Sequence, residues 1–262
     1  MDEIITLDYG SGGKKTARLI EEMILPDFDN PALRLLGDGA VLPGEAELAF
    51  STDSFVVAPL FFPGGDIGKL AVCGTVNDLA MCGAEPRYLS CSLILEEGLP
   101  LETLRQVLAS MKKAAHDAGV QIVTGDTKVV EKGRGDGLYL NTAGIGFIRH
   151  RPEGLEAVRP GDAVLVSGTV GDHGTAVMLA RTGMMEGDIR SDCCALNRLA
   201  EAMLSSGAAV RILRDPTRGG VATTLNEFTE GRGFGIELSE REIPVRQEVR
   251  AACEMLGLDP LY

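Results

Sequence analysis

Histidine is scarce in this chain. Only three occur in 262 residues; no two are spaced i, i+4 and none lies near a cysteine in sequence. A zinc or iron centre built from this chain alone is therefore not expected. Cys73, Cys82, Cys91, Cys193, Cys194 and Cys253 include no C-x-x-C pair. Most of them read as small buried hydrophobes, and the set as belonging to a reduced, cytoplasmic protein rather than to a disulfide framework. The adjacent Cys193 and Cys194 supply two thiols, too few to complete a zinc site. No apolar run reaches membrane-spanning length. The opening MDEIITLDYG has neither the basic region nor the apolar core of a signal peptide. Basic residues are also short: 25 Lys and Arg against 38 Asp and Glu leave a net charge of -13. That argues against the basic surface a nucleic-acid partner requires. It does not exclude a nucleotide, whose charge can be met locally by Mg2+, lysines and backbone N–H groups. A Walker A loop, a G-x-S-x-G elbow and a G-x-G-x-x-G after a strand are all missing, which leaves serine hydrolase and dehydrogenase readings without support.

What is present is a folded chain. Hydrophobic residues make up 45% and charged residues 24%, enough for a core in one large or two ordinary domains. The organising stretch is Ser51 to Pro86. It holds an apolar run with Thr52-Asp53, a Pro63-Gly64-Gly65 loop, and a helical pattern carrying Asn77-Asp78. Strands are expected at Arg34–Leu36, Leu48–Val57, Tyr88–Leu95, Val120–Val123 and Leu138–Ile148. Helices are expected at Asp66–Cys82, with Asp66 as N-cap and Gly83 as stop, and at Leu101–Ala118, ended by Gly119. Interleaved helices and strands imply an α+β layer, a mixed sheet with helices on one face, whose other face needs a cover. The turn-rich Arg149 to Pro160 marks a domain boundary, dividing the chain into 1–152 and 153–262. The second domain reads as α/β layers: strands Ala163–Ser167, Val210–Leu213 and Phe234–Leu238, with helices from Asp172 to Arg181, Leu196–Ser205, Val221–Glu230 and Val245–Leu256.

Four Asp-centred signatures stand out: Gly37-Asp38-Gly39, Thr52-Asp53-Ser54, Asn77-Asp78 and Gly125-Asp126-Thr127, with Lys128 two residues further on. Strand ends converging on one edge are a common ligand position. Magnesium takes carboxylates together with phosphates and water, and a metal must bridge carboxylates to a polyphosphate. Singly, each signature is equally a turn, and Lys128 equally an exposed strand lysine. Gly10-Ser11-Gly12-Gly13, followed by Lys14 and Lys15, precedes a helix and suits close backbone approach to an anion; a mobile N-terminus reads the same way. Asp215-Pro216-Thr217-Arg218-Gly219-Gly220 opens a helix, either as a phosphate or substrate site or as an N-cap by Thr217 or Asp215. His173, near a helix start, reads as structural.

Together DYGSGGKKT, GDGA, the Ser51 to Pro86 stretch, VTGDTKVV, GDHG and DPTRGG resemble the ATP-binding superfamily of aminoimidazole ribonucleotide synthetase, selenophosphate synthetase and thiamine-monophosphate kinase. Within it they resemble the carbamoyl dehydratases of hydrogenase maturation. The resemblance implies a homodimer whose N-terminal domains pair into a β-barrel, with ATP and Mg2+ in a cleft near the interface. It implies nucleotide contacts from Gly10, Ser11, Gly12, Gly13, Lys14, Asp38, Thr52, Asp53, Asn77, Asp78 and Asp126. Asp38, Asp53, Asp78 and Asp126 would hold metal, and Asp78 and Lys128 would act in catalysis. The implied reaction dehydrates a thiocarboxamide on a C-terminal cysteine to a thiocyanate, a source of hydrogenase cyanide ligands. The implied partners are a HypF-type carbamoyltransferase and a HypC–HypD-type iron scaffold complex, with no nucleic acid or membrane partner. The family's terminal cysteine and a Glu just past Leu-Asp-Pro-Leu have no counterpart before Tyr262, so the chain is expected to be shortened and to bind ATP without cyanating itself. Selenophosphate synthetase, which carries a Cys or selenocysteine in its Gly-rich loop, is disfavoured by the thiol-free Gly10 to Gly13. A non-catalytic, nucleotide-gated scaffold is the alternative of another class.

Overall fold

The computed structural model describes residues 4–10, 14–35, 44, 47–183, 188–217 and 219–261. In chain order its elements are α1 (Lys14–Leu19), a π-helical turn (Ile20–Ile24), α2 (Leu25–Phe28), β1 (Leu48–Phe55), the two-residue strands β2 (Phe61–Phe62) and β3 (Gly65–Asp66), α3 (Ile67–Met81), β4 (Ala84–Glu96), α4 (Leu101–Ala118), β5 (Gln121–Val130), β6 (Leu138–Ile148), α5 (Asp172–Thr182), α6 (Asn197–Ser205), α7 (Gly220–Thr229) and α8 (Gln247–Leu256). The chain divides into two compact units. The first comprises Met1–Leu60, Asp66–Arg151 and Cys194–Ala208; the second comprises Phe61–Gly65, Pro152–Cys193 and Ala209–Tyr262. The helix expected at Leu196–Ser205 forms as α6 but belongs to the first unit.

The first unit is a four-stranded mixed sheet ordered β1-β6-β4-β5. β6 pairs antiparallel with β1 and β4, and β4 pairs parallel with β5. One face carries α3 and α4. Asp66 starts α3 as an N-cap: its Oδ1 accepts from the N–H groups of Gly68 at 2.7 Å and Lys69 at 3.2 Å, and its Oδ2 accepts the Ser110 hydroxyl of α4. Two donors that begin a helix have no intrahelical partner, so this one carboxylate satisfies both and ties the two helices together. α4 buries Leu104, Val107, Leu108 and Met111 at helical spacing and ends on Gly119 in the left-handed region, at φ 77°. α3 packs so close to α4 that a Cβ on Gly68 would lie 2.5 Å from the Val107 carbonyl oxygen. On its sheet side, the fully buried Thr75 and Thr142 hydroxyls meet at 2.6 Å, and Thr142 donates onward to the Ala71 carbonyl at 2.9 Å.

The segment before β1 covers the outer edge of β5. Asn30, buried, donates to the Ile122 carbonyl at 2.9 Å while its own oxygen receives the N–H groups of Ala32 and Leu33. That last interaction explains one departure from expectation. Leu33–Leu35 is a single 3-10 turn rather than a strand, because Asn30 caps it as an Asx-type turn. A second departure is that β5 runs on through Thr124 to Val130, alongside the long β4, so Asp126 lies inside a strand and not at its end. Asp53 likewise lies within β1.

The second unit forms its helices around Ala176, Leu179, Ile189, Val249, Ala252 and Cys253. The strands expected at Ala163–Ser167, Val210–Leu213 and Phe234–Leu238 are not formed, so the expected α/β layering is absent among the described residues. A strand exists only with a hydrogen-bonded neighbour. Among the described residues Val164, Leu165 and Val166 are exposed and in no ladder, and the carbonyls of Val210 and Arg211 accept the Glu153 and Gly154 N–H groups, which belong to no strand. Gly174 sits in the first turn of α5 with nothing within 4 Å of a Cβ position. Gly174→Ala is expected to raise stability by about 0.5–1 kcal/mol, read as a higher urea midpoint at unchanged slope.

Candidate functional site

Strand alternation sorts the side chains of β1. Ser51, Asp53 and Phe55 face the helices, and Thr52 and Ser54 face the other way. On α3, Gly74 and Asp78 are four residues apart and share one side. The two elements meet there. Ser51 Oγ donates to Asp78 Oδ2 at 2.7 Å. Asp53 Oδ2 lies 3.8 Å from where a Gly74 Cβ would be, and the Phe55 ring lies 2.9 Å from it, so only glycine lets β1 settle against the helix. Asp53 Oδ1 accepts the Ser54 N–H at 2.8 Å. Two half-buried carboxylates are thus placed along one strand–helix seam, each with one oxygen held by a local donor.

Asp126 and Lys128 are not part of that seam. The register runs Ser54–Asn141–Ser92–Asp126 across the sheet, while Asp53 stands in the row Thr142–Cys91–Gly125. Asp126 therefore projects from the face opposite Asp53, three strand spacings away, on the order of 14 Å. There it forms an ion pair with Lys128 at 3.3 Å, exposed on both sides. The expected convergence of these carboxylates at one edge does not occur within one chain. Alternation within the longer-than-expected β5 is the reason. Among the described residues no three His, Cys, Asp or Glu side chains converge as a metal cluster.

The other expected site residues separate further. Thr52 is on the exposed face, where its hydroxyl donates to the Thr142 carbonyl and accepts from Asn141. Asn77 is occupied by protein: its amide donates to the Cys194 carbonyl at 3.1 Å and accepts the Leu196 N–H at 2.8 Å, fastening the start of α6. Gly10 ends a 3-10 turn that packs on β5, and Lys14, exposed, begins α1. Ser11, Gly12, Gly13, Asp38 and Arg218 lie outside the described residues. At α7, Gly219 is the N-cap with no side-chain cap bond, and the Ala222 N–H is taken by the Leu261 carbonyl at 3.0 Å. The N-cap position is thus Gly219 rather than Thr217 or Asp215.

Reasoning from the sequence missed Ser51 and Gly74. Both were accessible by spacing: Ser51 is two residues before Asp53 on a strand, and Gly74 is four before Asp78 on a helix. His173 is structural in form. Its Nδ1 bonds Ser191 Oγ at 2.9 Å and its ring meets Phe62 edge-on at 5.4 Å. Burial lowers its pKa, partly opposed by Asp192. The unfolded imidazole then binds a proton more readily than the native one, so stability is complete above the ordinary histidine value of about 6.5 and falls as pH drops below it through the native pKa. His173→Gln is expected to remove this part of the acid limb from urea-midpoint measurements between about pH 7 and 5.

The two-domain organisation is that of AIR synthase related proteins. The model of that family's N-terminal domain matches residues 36–148, and that of its C-terminal domain matches residues 159–262. The carbamoyl dehydratase HypE of Cupriavidus necator is 52% identical over 265 residues, covering 98% of this chain and 75% of that protein. A crystal structure of the hydrogenase maturation protein HypE in complex with ATP superposes with a TM-score of 0.95 at 52% identity, covering 98% of this chain and 77% of that one. A HypE–HypF complex matches with a TM-score of 0.78 at 50% identity, covering 93% of this chain and 80% of that one. The chain belongs to the HypE carbamoyl dehydratase family.

Proposed function

We propose that this protein uses ATP to dehydrate a carbamoyl group, carried as a thiocarboxamide on a C-terminal cysteine, to a thiocyanate during [NiFe]-hydrogenase maturation. The observation that carries the proposal is the Asp53–Asp78 seam in a chain half identical to an ATP-bound HypE. An amide oxygen is a poor leaving group. Phosphorylation of that oxygen by ATP makes it one, and loss of phosphate with the nitrogen's protons leaves the nitrile.

Magnesium fits the seam chemically: two hard carboxylate oxygens, with phosphate and water completing the shell. It would neutralise charge on the transferring phosphoryl group. Asp53 and Asp78 would hold it, with Asp38 joining them from outside the described residues. Lys128 would stabilise the charged oxygen of the reacting carbamoyl. Because Asp126 and Lys128 project from the opposite sheet face, we assign them to the site of a second copy. The face they share bears the exposed Leu48, Phe50 and Ile94, an apolar surface suited to a two-fold pairing of sheets into a barrel. A HypF-type protein would deliver the carbamoyl group, as the HypE–HypF complex supports, and a HypC–HypD-type scaffold would receive the cyanide. No described helix is long and apolar enough to cross a membrane.

The test supplies an S-carbamoyl-cysteine peptide with ATP and Mg2+. ADP and phosphate release accompanied by a nitrile infrared band supports the reading. ATP binding with neither product overturns it in favour of a nucleotide-gated scaffold.

A further inference from the structure

We propose that Ser51 is a positioning residue for Asp78, fixing the carboxylate's orientation toward a metal–nucleotide ligand. The inference rests on the carboxylate reading of the seam and adds a residue to it. Ser51 has one hydroxyl proton, and it is given to Asp78 Oδ2 at 2.7 Å. No other side-chain hydrogen bond to that carboxylate forms among the described residues, so Ser51 alone selects which oxygen is committed and which is left for a ligand. A hydrogen bond to a charged acceptor is directional and roughly twice as strong as a neutral one.

So short a side chain reaches α3 only because the helix lies low on the sheet, and the pairing register shows why it does. Ser51 stands opposite Gly144 of β6. A Cβ on Gly144 would come within 2.8 Å of Leu89 and Thr75 and 2.9 Å of Leu79, so a glycine here sets the height of α3. Asp53 is held separately by the Ser54 N–H, so each carboxylate has its own positioning donor. Outer donors of this kind change metal affinity by about 10- to 100-fold.

The experiment measures binding of Mn2+ with ATP by electron paramagnetic resonance, a readout independent of turnover. Ser51→Ala is expected to weaken Mn2+–ATP binding about tenfold, and Ser51→Thr, which keeps the hydroxyl, to restore it to within about twofold. In an Asp78→Ala background the Ser51→Ala change is expected to cost nothing further, because a residue acting through Asp78 has nothing left to position. Unchanged binding in Ser51→Ala, or an equal loss in both backgrounds, overturns the proposal. Wild-type binding in Asp78→Ala alone would instead remove the carboxylate seam from the nucleotide site. Matched thermal melts of the variants separate either result from unfolding.

Discussion

Two variants that are each inactive, Asp78→Asn and Lys128→Ala, are expected to recover about a quarter of wild-type ATP turnover when mixed under conditions of subunit exchange. Each alone should lose about 10²- to 10³-fold, the usual cost of removing a group that meets developing charge. The recovery follows from the proposed pairing of two copies through the sheet face that bears Lys128. Asp78 is reached from the helix-covered face through Ser51, whereas Lys128 stands on the opposite face beside Asp126. If one site draws Asp78 from one copy and Lys128 from the other, a hybrid dimer contains one site with both residues intact and one with neither. Half of the dimers in an equal mixture are hybrids, and half of their sites work. Coupled-enzyme measurement of ADP release on the mixture reads this directly. Flat, variant-level activity after exchange has been verified by native mass spectrometry would place both groups in one chain's site.

Gly68→Ala is expected to destabilise the protein by about 1–3 kcal/mol, even though alanine is the better helix former. Two effects compete. In an open helix position the exchange gains about 0.5–1 kcal/mol, as expected for Gly174. At Gly68 the new methyl would lie 2.5 Å from the Val107 carbonyl oxygen and 2.8 Å from Met111 Cγ. A backbone carbonyl in the middle of α4 cannot move without the helix, so the clash decides the sign. The melting temperature should fall by several degrees, at roughly 2–4 °C per kcal/mol for a chain of this size. An unchanged or higher value would mean that α3 and α4 are less tightly apposed than the structure has them.

Much of the first unit was legible because its signals are local. α4 begins and ends where its apolar period and Gly119 put it, and Asp66 caps α3 as its place before an apolar-periodic segment implies. What was not legible depends on partners. β5 looked finished at Val123 because Thr124-Gly125-Asp126 reads as a turn, yet β4 lies beside it and keeps it extended. That single extension decides which way Asp126 and Lys128 point. The second-unit strands failed for the complementary reason: Ala163–Ser167 has the composition of a strand but no described neighbour to pair with. Asn77 shows a third limit. The resemblance implies a nucleotide contact from it, and no local signal foretold that its amide also bonds the Cys194 carbonyl and the Leu196 N–H.

The matched family domain begins at residue 36, but the cover over β5 comes from earlier residues: Asn30 bonds the Ile122 carbonyl, and the 3-10 turn ending at Gly10, α2 and the Leu33–Leu35 turn pack on the strand. An expression design trimmed to the matched span would uncover a full-length strand with open backbone donors and acceptors next to newly wetted apolar side chains. Such a product should polymerise through that rim rather than stay in solution. On this reading the described residues of that segment guard the rim of β5 against fibre-like self-association.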